Sequence, residues 1–352
     1  MTEEIIARKV GQIGRITLNR PKALNALSMD MVTAMTDALL AWKDDDSVKA
    51  VVVDGEGEKG FCAGGDIRML HDSGKAGGED AWRFWHDEYQ LNTLIKRYPK
   101  PYVALIDGIT MGGGVGISVH GSHRVAGDRT MLAMPETGIG FFPDVGGTFF
   151  LPRLAGEIGM WMGLTGARLK AADCVAAGIA THYTPSADLP ALINAFEGAD
   201  LSDDDALEIL LEEHSGDPGD SDLAMTRGLI DAAFAGDDVA AMVARISKAG
   251  DAWSQKQAKI ITTKSPTALK LTCAAIRNGA EKPFEDVMRQ ELRLSTHCLD
   301  GVDFYEGVRA VIIDKDNAPQ WSPATLEGVE DAVIQAYFEP LAADKELTFL
   351  GE

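Results

Sequence analysis

Two carboxylates, Glu136 and Asp144, stand in a stretch that gives them almost no polar company: Met134-Pro135-Glu136-Thr137-Gly138-Ile139-Gly140-Phe141-Phe142-Pro143-Asp144-Val145-Gly146-Gly147. An acid withdrawn from water keeps its proton to higher pH, and a second acid nearby raises one of the two further. This is how a general base or a proton donor is tuned toward neutrality. Helix capping and loop hydrogen bonding are the ordinary alternative for either acid. Pro143 and the flanking glycines restrict the backbone so that both side chains could enter one cavity, which favours chemistry.

Two glycine-bearing stretches come earlier in the chain. In Gly60-Phe61-Cys62-Ala63-Gly64-Gly65-Asp66-Ile67-Arg68, small residues let a ligand approach the main chain, and Asp66 can cap a following helix. A plain β-to-α connection accounts for the same residues equally well. The second stretch, Ile109-Thr110-Met111-Gly112-Gly113-Gly114-Val115-Gly116, opens a helix with three glycines, whose N–H groups suit an oxyanion or a phosphate. No Gly-Lys-Ser/Thr closes it and the full dinucleotide fingerprint is missing, which argues against nucleotide hydrolysis and against NAD. Cys62 reads as a small buried residue rather than a nucleophile.

These stretches need elements to position them. Arg15 to Leu18, the apolar-periodic segment Met29 to Trp42 and Ala50 to Val53 follow one another as strand, helix and strand, the order of βαβ units. Ser28 is placed to cap that helix, with Asp30 in its first turn. Tyr102 to Ile106, His123 to Ala126 and Met131 to Met134 are further strand candidates, each beside a glycine cluster. From about Leu154 the β signal gives way to Ala-, Leu- and Glu-rich helical periodicity. Leu201 to Glu213 reads as a helix, and the acidic stretch His214 to Asp222 as a linker at an internal boundary. The domain division expected is residues 1–200 as the core that carries the site and 201–352 as a helical region.

The 352 residues carry 54 acids against 33 Lys and Arg, a net charge of −21. An acidic chain cannot displace the counterions of DNA or adhere to an anionic bilayer by charge, so neither nucleic acid nor membrane is an expected partner. Cys62, Cys174, Cys273 and Cys298 lack the pairing of a zinc site or the density of a disulfide scaffold. His120 and His123 have no acidic co-ligand in sequence, so no metal is expected. With no apolar leader and with Glu3 and Glu4 near the start, the expected location is the cytoplasm, or the mitochondrial matrix after processing.

Taken in order, Cys62-Ala63-Gly64-Gly65-Asp66, the triplet Gly112 to Gly114 and Pro135-Glu136 resemble the signature of the crotonase (enoyl-CoA hydratase/isomerase) superfamily. Within it the chain looks most like the 3-hydroxyisobutyryl-CoA hydrolases, through Met134 to Arg153, Asp87 to Asn92, Ser118 to Gly121, Ser265 to Thr267 and Phe304 to Asp316. The resemblance implies an α/β fold, a crotonase-like (ClpP/crotonase) spiral of ββα repeats followed by a helical C-terminal region. It implies an oxyanion hole made by the N–H groups of Ala63 and Gly113, and substrate contacts from Gly64, Gly65, Asp66, Gly112 and Glu88. Without the family, Glu88 would read as a solvated helix charge. The coenzyme A end would be held around Lys22, Ala23 and Leu24 of Arg20 to Asn25. Coenzyme A is then part of the substrate, and no separate cofactor is implied.

The resemblance also separates the reactions. Hydratases carry a catalytic glutamate two residues past the last glycine of the triplet, where this chain has Gly116, and Asp144 is the acid that marks the hydrolases. The implied activity is hydrolysis of a short 3-hydroxyacyl-CoA thioester, 3-hydroxyisobutyryl-CoA first, as in valine degradation. Glu136 and Asp144 would be the catalytic pair. Hydration or isomerisation of an enoyl-CoA is the first rival, and a catalytically silent CoA-binding protein the second. Homo-oligomers are common in the superfamily.

Overall fold

The computed structural model describes residues 4–351. Its β framework is built from paired strands, each pair followed by a helix. The hairpin β1 (Ile5–Val10) and β2 (Ile13–Leu18) leads to α1 (Met29–Lys43). Next come β3 (Ala50–Gly55) and β4 (Gly60–Cys62) before α2 (Ile67–Lys75) and α3 (Asp80–Lys96). Then β5 (Tyr102–Leu105) and β6 (Ile109–Met111) precede α4 (Gly113–Val119), followed by β7 (His123–Ala126) and β8 (Met131–Ala133). Short strands β9 (Leu169–Lys170) and β10 (His182–Tyr183) complete two sheets, of order β1-β2-β3-β5-β7-β10 and β4-β6-β8-β9. From β3 to β8, the first strand of each pair enters the first sheet and the second strand enters the other. This is the ββα repeat that the sequence implied.

Local chemistry accounts for these elements. Ser28 Oγ accepts from Met31 N at 3.3 Å and Asp30 lies in the first turn of α1. Met31, Met35, Leu39 and Trp42 recur at helical spacing on its buried face. β3 is paired in parallel on both edges, with β2 and β5, and Ala50 to Asp54 are all buried, so both of its faces are covered. Its run Ala-Val-Val-Val accordingly shows no polar alternation. Gly114 is required by a close approach: a Cβ there would stand 2.1 Å from the carbonyl oxygen of Cys62, the last residue of β4. Gly114→Ala should therefore destabilise the chain by about 3 kcal/mol, read as a lowered thermal unfolding midpoint; an unchanged midpoint would show that the two turns can separate.

The chain forms two compact units, each assembled from separated segments. The first comprises Met1–Gly65, Leu91–Leu132 and Arg168–Ala224, and the second Asp66–Gln90, Ala133–Ala167 and Met225–Glu352. This differs from a single division at residue 200. Residues beyond 200 join the sheet because Leu201, Leu207, Leu210 and Leu211, with Leu189, Leu192 and Phe196, bury themselves against Ile13, Val52, Val103 and Val125. The acidic linker does end near a boundary: the first unit closes at Ala224, just after the segment that follows the helix Ala206–Glu213. The helices Pro266–Gly279 and Phe284–Cys298 belong to the second unit, as does the Glu136–Asp144 loop. No helix among the described residues is long and apolar enough to cross a membrane.

Candidate active site

In the first unit, the turn after β4 and the segment around Leu24 are stitched together. Asn25 is fully buried; its amide donates to Gly60 O at 2.9 Å and Glu56 O at 3.0 Å, and its carbonyl accepts from Arg20 N at 2.9 Å. Arg20 pairs with Glu4 at 3.1 Å and donates to Ala26 O at 2.7 Å, so its guanidinium serves the turn. Lys22 and Ala23 are exposed on the 3-10 turn Pro21–Ala23. Leu24 O accepts the N–H of Ala63 at 3.0 Å.

That last bond corrects one expectation. The Ala63 N–H already has a partner and is not free to serve as an oxyanion donor. Leu27 donates to Gly64 O at 2.8 Å and forms a parallel bridge to Gly65. Successive residues of extended chain point their N–H and C=O groups to opposite edges, so Gly65 N–H faces away from Leu27. Gly113 is the first residue of α4, preceded by Gly112 with φ of 47°, and its N–H would lie 3.8 Å from a Cβ on Gly64, whose own φ is 119°. Among the described residues neither Gly65 N–H nor Gly113 N–H finds a carbonyl partner. Asp66 leaves the turn as the cap of α2, accepting from Met69 N at 3.4 Å.

The second unit buries four carboxylates: Glu88 is 2% exposed, Glu136 6%, Asp144 6% and Glu291 0%. None of them forms an ion pair with Lys or Arg among the described residues. Apolar surroundings explain the dryness. Trp85 stacks on Phe141 with ring centroids 5.4 Å apart, and Phe304 packs 5.6 Å from Phe141, all three fully buried. Asp144 Oδ2 accepts the Tyr89 hydroxyl at 2.7 Å. Oε1 of Glu88 and Oε2 of Glu136 are buried without a partner among the described residues. Such orphaned acceptors are costly, and where several converge they mark a place that a ligand or water completes.

Electrostatics follow from this geometry. Burial, then the charge of Asp144, pushes Glu88 and Glu136 well above the usual carboxylate range, with Lys264 pulling Glu136 slightly back. Burial raises Asp144 to about 7 against the hydrogen bond from Tyr89. Burial also raises Glu291 to about 8, although Gly146 N, Thr148 N and Thr148 Oγ1 donate to it at 2.6, 2.9 and 2.6 Å. The acids titrate as a set. All four acids therefore hold their protons to higher pH than solvated carboxylates do, and the loss of one is what a nucleophile or general base requires.

The loop that carries Asp144 is held under strain. Val145 has φ of 52°, a left-handed conformation that a β-branched residue adopts only when its surroundings impose it, and Gly146 follows at 82°. Glu291 supplies part of that imposition by gripping Gly146 and Thr148 on either side of Gly147.

Comparison with known proteins places these features. Residues 13–338 match the family described as enoyl-CoA hydratase/isomerase. The chain belongs to the enoyl-CoA hydratase/isomerase family. A 3-hydroxyisobutyryl-CoA hydrolase, mitochondrial, from Danio rerio is 46% identical over 343 residues, covering 96% of this chain and 90% of that protein. Two solved structures share the whole architecture. One, titled a carnitinyl-CoA dehydratase from Mycobacterium thermoresistibile, has TM-score 0.93 at 45% identity over all of both chains. The other, titled an enoyl-CoA hydratase from Rhodobacter sphaeroides 2.4.1, has TM-score 0.90 at 40% identity over 98% of this chain and 100% of that one. The fold is that of the crotonase enzymes.

Within this family fold, Glu136 and Asp144 fall in one unit with Glu88, and the solvated-charge reading of Glu88 is overturned by its burial. Gly64, Gly65, Gly112 and Gly113 fall in the other, with Lys22, Ala23 and Leu24. Cys62 is buried, its thiol 3.6 Å from Gly64 O. No group of three or more potential metal ligands occurs among the described residues. Sequence reasoning gave no role to Tyr89, Glu291 or Ser295. A usable signal existed for Glu291: it sits on the apolar stripe Val287, Met288, Leu294 and Cys298, where a solvated acid has no place.

Proposed function

We propose that the chain hydrolyses short 3-hydroxyacyl-CoA thioesters, 3-hydroxyisobutyryl-CoA foremost, releasing the 3-hydroxy acid and coenzyme A. The buried acid cluster carries this reading: Asp144 held by Tyr89, with Glu136 and Glu88 each keeping an unpaired oxygen. The name of the Danio rerio relative supports it. Gly116, at the position where the resemblance expects a hydratase's second glutamate, disfavours hydration of an enoyl-CoA, although the two solved relatives bear dehydratase and hydratase titles.

In this reading the free N–H groups of Gly65 and Gly113 receive the thioester oxygen as it gains negative charge, which is the arrangement that stabilises a tetrahedral adduct. Glu136 acts on the carbonyl carbon, as nucleophile or as the base that takes a proton from water. Collapse of the adduct breaks the carbon–sulfur bond, and the departing thiolate takes up a proton. Asp144 orients the hydroxyacyl group and manages that proton, and Glu88 accepts the substrate hydroxyl. Coenzyme A enters as part of the substrate, its nucleotide end assigned to the segment around Lys22, Ala23 and Leu24.

Thiol release across a panel of short acyl-CoA esters, with enoyl absorbance followed on the same samples, tests the proposal. Release should be fastest from 3-hydroxyisobutyryl-CoA or 3-hydroxypropionyl-CoA, and esters without the hydroxyl should be roughly tenfold poorer, the worth of one hydrogen bond. Enoyl turnover exceeding thiol release would reject hydrolysis in favour of hydration. Tight CoA binding with no turnover would make the protein a binder.

A further inference from the structure

Behind Asp144 lies a chain of hydroxyl groups that catalysis as described above does not use. Tyr89 OH stands 2.7 Å from Asp144 Oδ2 and 2.6 Å from Ser295 Oγ, and Ser295 Oγ stands 2.8 Å from Glu291 O, one turn back in the helix Phe284–Cys298. All of these groups are buried. Each hydroxyl has a single hydrogen to give, so the three contacts cannot point in arbitrary directions.

Two arrangements are open to them. When Asp144 is ionised, Tyr89 donates to Asp144 and Ser295 donates to Tyr89 in place of its bond to Glu291 O. When Asp144 holds a proton, Asp144 donates to Tyr89, Tyr89 donates to Ser295, and Ser295 donates to Glu291 O. Rotation of two hydroxyl groups converts one state to the other with no heavy atom moving. An ordinary buried carboxylate is built for one protonation state and leaves an orphaned group in the other. We propose that Tyr89 and Ser295 are positioning residues that form a reversible hydroxyl relay, holding Asp144 in one orientation both with and without its proton. The kinetic consequence rests on the hydrolase reading, in which Asp144 must change protonation during each turnover.

The groups facing Asp144 fit this role. Glu88 and Tyr89 face it from α3, Glu136 from its own loop, and Glu291, Ser295 and Cys298 from the helix Phe284–Cys298. None of them is a cation that would pin Asp144 as an anion. Burial and the charge of Asp144 raise the Tyr89 phenol well above its ordinary value, so it works as a hydroxyl donor and acceptor and not as a phenolate.

The two relay members predict opposite shifts, which a packing role would not produce. Tyr89→Phe removes the donor that the anion needs, so Asp144 should titrate about one pH unit higher. Ser295→Ala takes one donated bond from Tyr89 when Asp144 is ionised, but when Asp144 is neutral it leaves the Tyr89 hydrogen buried with no acceptor, the larger loss, so Asp144 should titrate lower; Ser295→Thr keeps a hydroxyl and should restore the original value. The readout is infrared titration of the neutral-carboxyl band in the full chain, assigned by its disappearance in Asp144→Asn. It needs no turnover. The acid limb of kcat/KM for thiol release should move with the band in each variant. Shifts of opposite sign support the relay. An unmoved band, or shifts of the same sign, would overturn it. If Tyr89→Phe does not fold, the Ser295→Ala and Ser295→Thr pair decides alone, a downward shift restored by Thr supporting the relay and no shift refuting it. Absence of thiol release by the unmodified protein would refute the hydrolase reading and leave the infrared result to judge the relay.

Discussion

Glu136→Gln should lower kcat for thiol release by about a thousandfold, the middle of the range for losing a positioned base. The amide keeps the size of the side chain and its place in the turn Glu136–Ile139. It cannot ionise, so it can neither attack a carbonyl nor accept a proton from water. Folding should be unharmed, because a buried acid pushed far above its usual range is replaced by a neutral isostere. The measurement is steady-state thiol release beside thermal unfolding. A near-normal rate in a folded variant would remove Glu136 from the mechanism.

Asp144→Asn comes second in expected size, with kcat down about a hundredfold and KM little changed, since the loss falls on proton handling and orientation more than on binding. Its amide keeps one oxygen for the Tyr89 hydroxyl, so the loop and its strained Val145 should persist. The charge of Asp144 is one of the two causes that raise Glu88 and Glu136. Without it both acids should ionise at lower pH than in the unmodified chain. A variant with full activity, or one whose rate loss tracks unfolding, would deny Asp144 its role.

Local motifs in the sequence carried much of this arrangement. The capping of α1 by Ser28, the capping of α2 by Asp66, the pairing of strands with helices and the dry setting of Glu136 and Asp144 all follow from residues adjacent in the chain. What adjacency does not contain is where distant segments return. The helix beyond residue 200 reads as part of a separate region, yet Leu207, Leu210 and Leu211 cover the first sheet. Glu291 and Ser295 lie about 150 residues beyond the loop they support and belong to no recognisable motif. The Ala63 assignment failed for a related reason. A glycine-rich turn announces free N–H groups without saying which one a neighbouring carbonyl has already taken, and here Leu24 takes that of Ala63.

The charge state of the acid cluster is where chemistry and structure meet, and the pH dependence of kcat/KM for thiol release from 3-hydroxyisobutyryl-CoA probes it most directly. Burial raises Asp144 to about 7 and holds Glu88 and Glu136 well above the usual carboxylate range, so in acid the cluster holds no carboxylate able to act. The rate constant should climb about tenfold per pH unit, with a limb well above the range in which solvated carboxylates ionise, until Glu136 is ionised and the rate levels, and in Asp144→Asn that limb should move to lower pH than in the unmodified chain, beneath a reduced plateau. A profile already flat between pH 5 and 8 (ordinary, solvated carboxylates would give this) would contradict hydrolysis by a buried acid cluster.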